Sequence, residues 1–429
     1  MKLHKVSALA AVSILAFAAC SNSGASTAPS TGASTAPSSA PSTAPSEGAV
    51  DPLGTVEIPA GEPVHIAYWG VLSGADSSLG EDSRQGVAIA VNDLGGTFKG
   101  HEIQLTTEDA LCTPEGGATA ATKLAADSTL VGLIGSACSD EVVGGIKTLT
   151  EGGLTTISPS NTRPALTAED RDATYAGYAR TAHNDAFQGK VAAEYVFNEM
   201  GLKKAATIHD GSGYAEALAG VFATEFKALG GEIVAEEAIA KGTTDMSTTL
   251  KTMAAAGPEL IYMPLFIAEA GFLKSQIPTT TGLENVKTLG ADGHYSADFL
   301  KAAGNAAVGH LQTSPNFSAF TGDYAGFVAK IKAEFGNDPL SAFHAQAYDA
   351  TNMLFAALDK VAVENADGSL TIPKGALRDA IFATKDFVGL TGTLSCTPTG
   401  DCGAPVIAVY EITQADVDAG KMPSTPIWP

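Results

Sequence analysis

The fold class of this chain can be inferred from one stretch, residues 130–167, which reads LVGLIGSACSDEVVGGIKTLTEGGLTTISPSNTRPALT. A short apolar run, 130–134, ends in small residues, and a segment with helical patterning follows, opening with Asp140 and a second acidic residue. Acidic side chains in a first turn suit the positive end of the helix dipole. A second apolar run, 154–157, ends in the hydroxyl-rich segment 158–162. A strand, a helix and a strand in this succession predict a parallel sheet.

Both apolar runs of this stretch stop at small and hydroxyl-bearing residues, which leave backbone N–H groups accessible. Two parallel strands that end this way at one edge of a sheet form a binding site for a small anion such as a carboxylate. Ordinary caps and turns use the same residue types, so either loop alone would favour a structural role. The two loops together favour a binding site.

Length, composition and charge limit the class of protein. A chain of 429 residues is too long for one core, and 45% hydrophobic residues are typical of globular domains. The net charge of −22 argues against a nucleic-acid partner, because that interaction needs clustered Lys and Arg. The sequence contains no GxSxG, HExxH, P-loop or dinucleotide-binding motif, and its histidines form no i, i+4 pair. We therefore expect a protein that is not an enzyme and holds no cofactor or metal.

The first residues have the pattern of a secretory signal. Lys2 and Lys5 precede an apolar run at 8–19, which ends in small residues before Cys20. The run is too short for a stable membrane span. LAFAAC resembles a bacterial lipobox, in which the Cys becomes the lipidated first residue of the mature protein. We expect residues 1–19 to be a lipoprotein signal peptide and the protein to be extracytoplasmic, anchored to a membrane by the lipid on Cys20.

Residues 20–55 contain repeats of STAPS and show no apolar periodicity. Such a segment cannot bury a core and is predicted to be a disordered tether. The four remaining cysteines suit an oxidising compartment. Sequence alone permits three pairings, and proximity favours Cys396 with Cys402, which leaves Cys112 with Cys138.

From residue 64 onward, strand-like and helix-like segments alternate along the chain, from VHIAYWGVL and SRQGVAIAVNDLGG to the helical segments around Phe327 and Tyr348. This succession predicts parallel sheets with helices on both faces, in two doubly wound domains. Ligands bind beyond the carboxyl ends of the strands in such sheets. Two domains side by side would place those ends across a cleft, which closes by hinge motion.

Nearly all of residues 60–415 resembles the substrate-binding proteins of bacterial branched-chain amino-acid ABC transporters, the leucine/isoleucine/valine-binding type. The resemblance rests on these segments, in chain order: GVLSGADSSLGEDSRQGVAIAVNDLGG, EDALCTPEGGA, GSACS, SPSNTRPALT, HDGSGYAEAL, AYDATNMLFAAL and CTPTGDCGAPVIAVYEI. It implies the type I periplasmic binding-protein fold: α/β, with two doubly wound Rossmann-like lobes joined by three crossings. It also supports the Cys112–Cys138 pairing. We expect lobe 1 to comprise 56–180 plus 315–384, and lobe 2 to comprise 181–314 plus 385–429.

The resemblance also implies an amino-acid site between the lobes. Ser139 corresponds to the hydroxyl that binds the α-carboxylate, together with backbone N–H groups. Ser160 matches a position that gives a backbone carbonyl to the α-ammonium, and Thr162 matches a residue that touches both groups. Tyr214 corresponds to a residue of the second lobe that closes over the ligand. Asp292 stands where the family usually has Glu as the counter-charge of the ammonium, and it is one methylene shorter.

Trp69 and Phe266 are candidates for an apolar pocket around the ligand side chain, with Tyr68 and Leu79 beside them. Phe266 aligns with a family Tyr, and strand alternation makes one of Tyr68 and Trp69 a core residue. The partners implied are an ABC permease and its ATPase, with the protein itself a monomer. Two alternatives keep the fold: a ligand-sensing receptor domain, or a site for short amides, urea, aromatic acids or polyols.

Overall fold

A computed structural model describes residues 51–429 of the chain. The predicted signal peptide, the predicted lipidation site Cys20 and the tether up to residue 50 lie outside the described residues. Those three features therefore stay predictions.

Strands and helices alternate along the described chain, as the apolar patterning predicts. The strands are β1 (Thr55–Ile58), β2 (Val64–Gly70), β3 (Thr97–Phe98), β4 (His101–Asp109), β5 (Leu130–Gly135), β6 (Thr156–Ser158), β7 (Tyr178–Arg180), β8 (Lys204–His209), β9 (Glu232–Ala238), β10 (Leu260–Tyr262), β11 (Lys287–Gly290), β12 (Leu311–Pro315), β13 (Val363–Glu364), β14 (Leu370–Pro373), β15 (Phe387–Val388), β16 (Thr393–Leu394) and β17 (Ile407–Glu411). The helices are α1 (Ser77–Asp93), α2 (Pro114–Ala126), α3 (Ser139–Glu151), α4 (Asp185–Glu194), α5 (Gly213–Ala228), α6 (Ser247–Ala256), α7 (Ile267–Gln276), α8 (Ala297–Ala303), α9 (Tyr324–Phe335), α10 (His344–Val361), α11 (Lys374–Phe382) and α12 (Gln414–Ala419).

The first large sheet has the strand order β3-β4-β2-β5-β6-β7, and all its pairs are parallel except β3 with β4. From β2 the chain moves to one side, to β4, and then returns to the other side, to β5. The loops after β2 and β5 therefore diverge and leave a crevice at the carboxyl end of the sheet.

Both faces of the first sheet are covered by helices. Helices α1 and α10 pack on one face, and α2 and α3 pack on the other. Along β2, Tyr68 belongs to the first layer and Trp69 to the second, and both side chains are fully buried. A strand covered on both faces has no exposed side, which is why the sequence of β2 is apolar apart from His65.

The second large sheet repeats this plan with the order β17-β12-β11-β10-β8-β9, in which only β17 runs antiparallel to its neighbour. Its reversal point lies between β8 and β10. Helices α4 and α5 cover one face, and α6, α7 and α8 cover the other. The chain passes between the two sheets after β7, after β12 and between β16 and β17. The predicted architecture of two doubly wound α/β lobes joined by three crossings is confirmed.

The N-terminal part of the described chain corrects one predicted boundary. Strand β1, which begins at Thr55, pairs antiparallel with β14, and the carboxylate of Asp51 accepts the backbone N–H groups of Gly375 and Ala376 at the start of α11. Residues 51–55 are thus part of the folded body, although the sequence grouped them with the tether. An acidic side chain at a helix N-terminus satisfies amides that have no partner within the helix.

Two disulfides join Cys112 to Cys138 and Cys396 to Cys402, which confirms the predicted pairing. The first links the loop after β4 to the loop after β5. The second closes a turn whose residue Asp401 bridges to Arg180 at the end of β7. Both cysteines of that second pair pack in the core of the first sheet, whereas the sequence grouped this segment with lobe 2. The buried guanidinium of Arg180, 2.7 Å from the Asp401 carboxylate, holds the turn there.

None of the helices within residues 51–429 combines the length and the apolar character that a membrane crossing requires.

Candidate functional site

A narrow, largely closed cleft lies where the carboxyl ends of the two sheets face each other. The first lobe contributes residues that follow β2, β5 and β6, and the second lobe contributes residues that follow β8, β10 and β11. The residues that line the cleft are Leu79, Ala137, Cys138, Ser139, Ser160, Tyr214, Phe266, Asp292, Gly293 and Phe343.

Five of the seven side chains predicted for the site line this cleft: Ser139, Ser160, Tyr214, Phe266 and Asp292. Each lies at the carboxyl end of a strand or in the first turn of the next helix, as the sheet topology requires. Phe343, at the start of α10, also lines the cleft, and sequence reasoning missed it because its segment lacks a strand end or turn motif.

One end of the cleft is formed by the N-terminus of α3. The buried carboxylate of Glu141 accepts the backbone N–H groups of Cys112, Ala137 and Cys138 at 2.8 to 2.9 Å. The first N–H groups of the helix, at Ser139 and Asp140, have no acceptor within it. The Ser139 hydroxyl accepts the N–H of Arg163 at 3.4 Å, which leaves its own proton for another acceptor. This end of the cleft therefore suits an anion.

The loops after β5 and β6 are tied together at this end. The Ser160 hydroxyl donates to the carbonyl of Ala137 at 2.8 Å. The guanidinium of Arg180 donates to the carbonyls of Asn161 and Arg163 at 3.1 and 2.9 Å. Because Arg180 is fully buried and paired with Asp401, it fixes the loop that carries Ser160.

The opposite end of the cleft carries a carboxylate. Asp292 begins a short 3-10 turn after β11 and is 2% exposed. The Tyr214 hydroxyl lies 3.5 Å from its Oδ1 and accepts the N–H of Gly293 at 3.1 Å. Burial, and then the charge of Asp292, raises the pKa of Tyr214 well above its usual value, so the phenol stays protonated. This end of the cleft suits a cation.

His294, which lies in the same turn as Asp292, faces away from the cleft. Its Nδ1 pairs with the carbonyl of Leu265 at 2.8 Å, and its Nε2 lies 3.1 Å from Nε2 of His310. Burial lowers the pKa of His294 to about 4, so the ring is neutral at physiological pH. His294 supports the turn that carries Asp292.

Two buried residues behind Asp292, His183 and Asp185, were not predicted. They lie where the chain first crosses between the lobes. A nitrogen of His183 and one carboxylate oxygen each of Asp185 and Asp292 lie within 4.8 Å of one another. Burial, and then repulsion from Asp292, raises the pKa of Asp185 to about 7. In the sequence, Asp185 has the pattern of an ordinary acidic residue in a first helical turn, so no signal marked it.

These three groups have the composition of a metal site, but the hydrogen bonding of His183 does not fit one. Its Nε2, 3.8 Å from Asp292, is 2.7 Å from the Gln188 amide oxygen, and the amide nitrogen of Gln188 donates to the Thr313 carbonyl at 3.3 Å. That orientation makes Nε2 of His183 a donor. A nitrogen that carries a proton has no lone pair for a metal.

Thr162 and Trp69, the other two predicted site residues, do not line the cleft. The Thr162 hydroxyl donates to Asp185 at 3.0 Å and is buried behind the cleft wall. The Trp69 indole packs between the sheet and α2 and α3, and its Nε1–H donates to Thr156 at 3.0 Å. The prediction for Trp69 is wrong because both faces of β2 are covered, so that strand alternation directs neither Tyr68 nor Trp69 into the cleft.

Contacts between the lobes cover the cleft. The Asp140 carboxylate accepts the N–H of Gly213, and Asp76 accepts the N–H of Ile267 at 3.2 Å. Lys241 of the second lobe lies 3.4 Å from Asp76 and donates to the carbonyl of Cys112 at 3.2 Å. The lobes are thus held in contact around a site with one anionic and one cationic end. Such an arrangement defines a class: α/β proteins that bind a small molecule by closing two lobes over it.

Comparison with known proteins identifies the family. The profile of the periplasmic binding protein family matches residues 63–417, so the chain belongs to that family. The family resemblance, and the type I fold that it implies, are confirmed. This is a family of ligand-binding proteins and not a class of enzymes.

Three similar proteins illustrate the relationship. A relative from Brucella melitensis, named Leu/Ile/Val-binding protein homolog 3, is 28% identical over 79% of this chain and 89% of its own length. The branched-chain amino acid transporter substrate binding protein LivJ from Streptococcus pneumoniae, solved with isoleucine, has a TM-score of 0.71 at 24% identity and covers 86% of this chain and 100% of that one. An ABC transporter solute binding protein from R. palustris, solved with benzoate, has a TM-score of 0.72 at 21% identity, over 85% and 96% of the two chains.

Proposed function

We propose that this protein binds an amino acid with an apolar side chain and delivers it to the permease of an ABC importer. One observation carries the proposal: a single small cleft has the N-terminus of α3 with Ser139 at one end and the carboxylate of Asp292 at the other. A zwitterion satisfies both ends at once. A ligand with only one charge leaves one end of a buried site without a partner, which costs free energy.

The side-chain subsite is apolar. Leu79 and Phe343 come from the first lobe, and the ring of Phe266 lies 5.2 Å from the ring of Tyr214 in the second lobe. An aliphatic side chain placed among these groups is removed from water, which contributes about 25 cal/mol per Å² of apolar surface. The names of the relatives, which refer to leucine, isoleucine and valine, support the same ligand class.

Capture needs no covalent step and no enzymatic activity. The ligand contacts both lobes, so it binds the closed form better than the open form and shifts the population toward closure. The contacts of Asp140 with Gly213 and of Lys241 with Asp76 form only when the lobes meet.

The permease and its ATPase recognise the closed form, and the protein acts as a monomer. It works outside the cytoplasm, anchored by the lipid on Cys20, with hinges near residues 181, 315 and 403.

The benzoate-bound neighbour represents the competing class of ligand, an aromatic acid without an ammonium. The Asp292 carboxylate argues against that class here, because an acid brings no ammonium group to pair with it in the cleft. Neutral amides, urea and polyols would likewise leave it without a charged partner.

The test compares three ligands that differ by one group: L-isoleucine, its carboxamide, and its deaminated acid. Thermal shift and titration calorimetry on the purified protein should show binding of L-isoleucine and a loss of at least about tenfold in affinity for each analogue, since one hydrogen bond to a charged group contributes about 1.5–3 kcal/mol. Tighter binding of the deaminated acid, or of a polyol, would overturn the proposal.

A further inference from the structure

The three buried groups at the base of the cleft form an unusual cluster. Asp292 lines the cleft, and Asp185 and His183 lie directly behind it. One carboxylate oxygen of each aspartate and a ring nitrogen of His183 lie within 4.8 Å of one another. Asp185 is fully buried; its Oδ2 accepts the Thr162 hydroxyl at 3.0 Å, and its Oδ1 has no partner among the described residues. A buried carboxylate oxygen without a donor is costly unless the carboxyl is protonated or a cation approaches.

The charges that face Asp185 leave it poorly compensated. Asp292 repels it, and the guanidinium of Arg180, although nearby, is committed to Asp401 at 2.7 Å. Tyr214 and Tyr262 face it as neutral phenols. Burial alone would lower the pKa of His183, but its interactions with Asp292 and Asp185 raise it overall. Two carboxylates this close in a dry site do not both ionise without a cation, so the cluster retains a proton.

We propose that a cationic group of the ligand binds in exchange for a proton, which Asp185, His183 and Asp292 hold among them when the cleft is empty. The inference rests on the proposed function, in which the ammonium of the ligand binds at Asp292. The exchange balances in charge: an ammonium enters beside the cluster, one proton leaves to solvent, and no covalent bond of the ligand changes. Asp185 touches no ligand in this scheme, so it is a positioning residue that acts through Asp292.

The exchange fixes the direction of the pH dependence. Binding that releases protons strengthens as pH rises and weakens as pH falls, by up to about tenfold per pH unit while the cluster is fully protonated. Because the pKa of Asp185 is raised toward neutrality by burial and by Asp292, part of the unliganded protein carries the extra proton in this cluster at neutral pH. Binding at pH 7 should therefore release a fraction of a proton from this source. The carboxylate and the ammonium of free L-isoleucine both stay charged near neutral pH, so the ligand itself supplies no proton there.

Glu141 is a second buried carboxyl that titrates in the same range, since burial raises its pKa to about 7 despite three backbone donors. It lies at the opposite end of the cleft, where the ligand carboxylate would favour its protonated form. Glu141 would therefore take up protons when the ligand binds, whereas the cluster at Asp185 releases them. The measurement must separate the two contributions. Asp185→Asn does this, because the amide keeps the size of the carboxyl and its bond to Thr162 but resembles the protonated form at every pH.

The experiment is titration calorimetry with L-isoleucine in buffers of different ionisation enthalpy, at several pH values, on the full chain and on its Asp185→Asn variant. The wild type should release more protons than the variant on binding at pH 7. The variant should lack the part of the pH dependence that Asp185 supplies, so that it binds more weakly than the wild type above pH 7 and approaches the wild-type affinity at low pH. Asp418→Asn, a change at an exposed carboxylate, is the matched control and should behave as the wild type does.

Equal proton exchange in the wild type and Asp185→Asn, with L-isoleucine bound by both, would overturn this inference and leave the proposed function standing. No binding of L-isoleucine by the wild type would overturn both. If Asp185→Asn does not fold, carbon-13 NMR of the aspartate carboxyls in the wild type decides instead. One buried aspartate should then titrate near pH 7 without ligand and cease to do so when L-isoleucine is bound. If no aspartate shows this ligand-sensitive titration, the inference is contradicted.

Discussion

The carboxylate of Asp140, in the first turn of α3, accepts the backbone N–H of Gly213, at the start of α5, at 3.0 and 3.1 Å. The two residues belong to different lobes, and each lies one position from a residue that lines the cleft. Closure and ligand contact are therefore built on the same two helix N-termini, and a change in one should alter the other.

Removal of this interlobe contact should weaken ligand binding, although the Asp140 side chain does not line the cleft. Asp140→Ala deletes a charge-assisted hydrogen bond that exists only in the closed form, so the affinity for L-isoleucine should fall by roughly tenfold, about 1.5 kcal/mol. The loss should appear as faster dissociation in stopped-flow measurements. Asp170→Ala, at an exposed carboxylate of the same lobe, is the control, and an equal loss there would contradict the role of Asp140.

Ser139 should matter for ligands that carry a carboxylate. Ser139→Ala removes the hydroxyl donor at the N-terminus of α3 and should lower the affinity for L-isoleucine by roughly 10- to 100-fold, about 1.5–3 kcal/mol. The affinity for isoleucine carboxamide should change much less, because that analogue has no carboxylate and so makes no charge-assisted hydrogen bond with the Ser139 hydroxyl in the wild type. The same proportional loss for both ligands in calorimetry would show that Ser139 acts only through the fold.

Trp69 and Phe266 offer a contrast between core and cleft. Trp69→Phe loses the hydrogen bond to Thr156 and should lower the free energy of unfolding by about 1 kcal/mol while ligand affinity stays within about twofold. Phe266→Ala should lower affinity several-fold, because its ring lines the cleft. Denaturant unfolding and calorimetry on both variants check this. A large loss of affinity in folded Trp69→Phe would return Trp69 to the site.

Arg180 should be required for stability. It is fully buried and joins Asp401, Thr167 and the carbonyls of the loop after β6. Arg180→Met leaves Asp401 without its charge partner and should cost about 3–5 kcal/mol in the free energy of unfolding. Urea denaturation measures this loss, with Lys190→Met, at an exposed site, as the control. A loss below about 1 kcal/mol would mean that water replaces the guanidinium.

The fold was largely predictable because its signals are local. The strand predicted at VHIAYWGVL is β2, which begins at the same residue and ends two residues earlier, and the helices predicted around Phe327 and Tyr348 are α9 and α10. Period-2 and period-3.6 apolar patterns with glycine stops mark each element, and the alternation of elements fixes the parallel sheets. The short strand β1 and the packing of the Cys396–Cys402 turn escaped prediction, because each depends on a partner more than 200 residues away in the chain.

The positions of the candidate site residues could be predicted where strand ends converge, but not where a position depends on how deeply a side chain is packed. Ser139, Ser160 and Asp292 follow strands whose ends the topology brings together. Trp69 failed because its orientation depends on which layers cover β2. Asp185 and His183 were missed because only the three-dimensional arrangement shows that they share a buried space with Asp292.

Calorimetry on Asp292→Asn beside the wild type, with L-isoleucine and with its deaminated acid as ligands, tests whether the ligand ammonium binds at Asp292. If the ammonium of the ligand binds at Asp292, the variant should lose about 100-fold or more for L-isoleucine, roughly 3 kcal/mol, and should bind the deaminated acid as well as or better than the wild type does. Unchanged affinity for L-isoleucine in a folded Asp292→Asn protein would contradict the account.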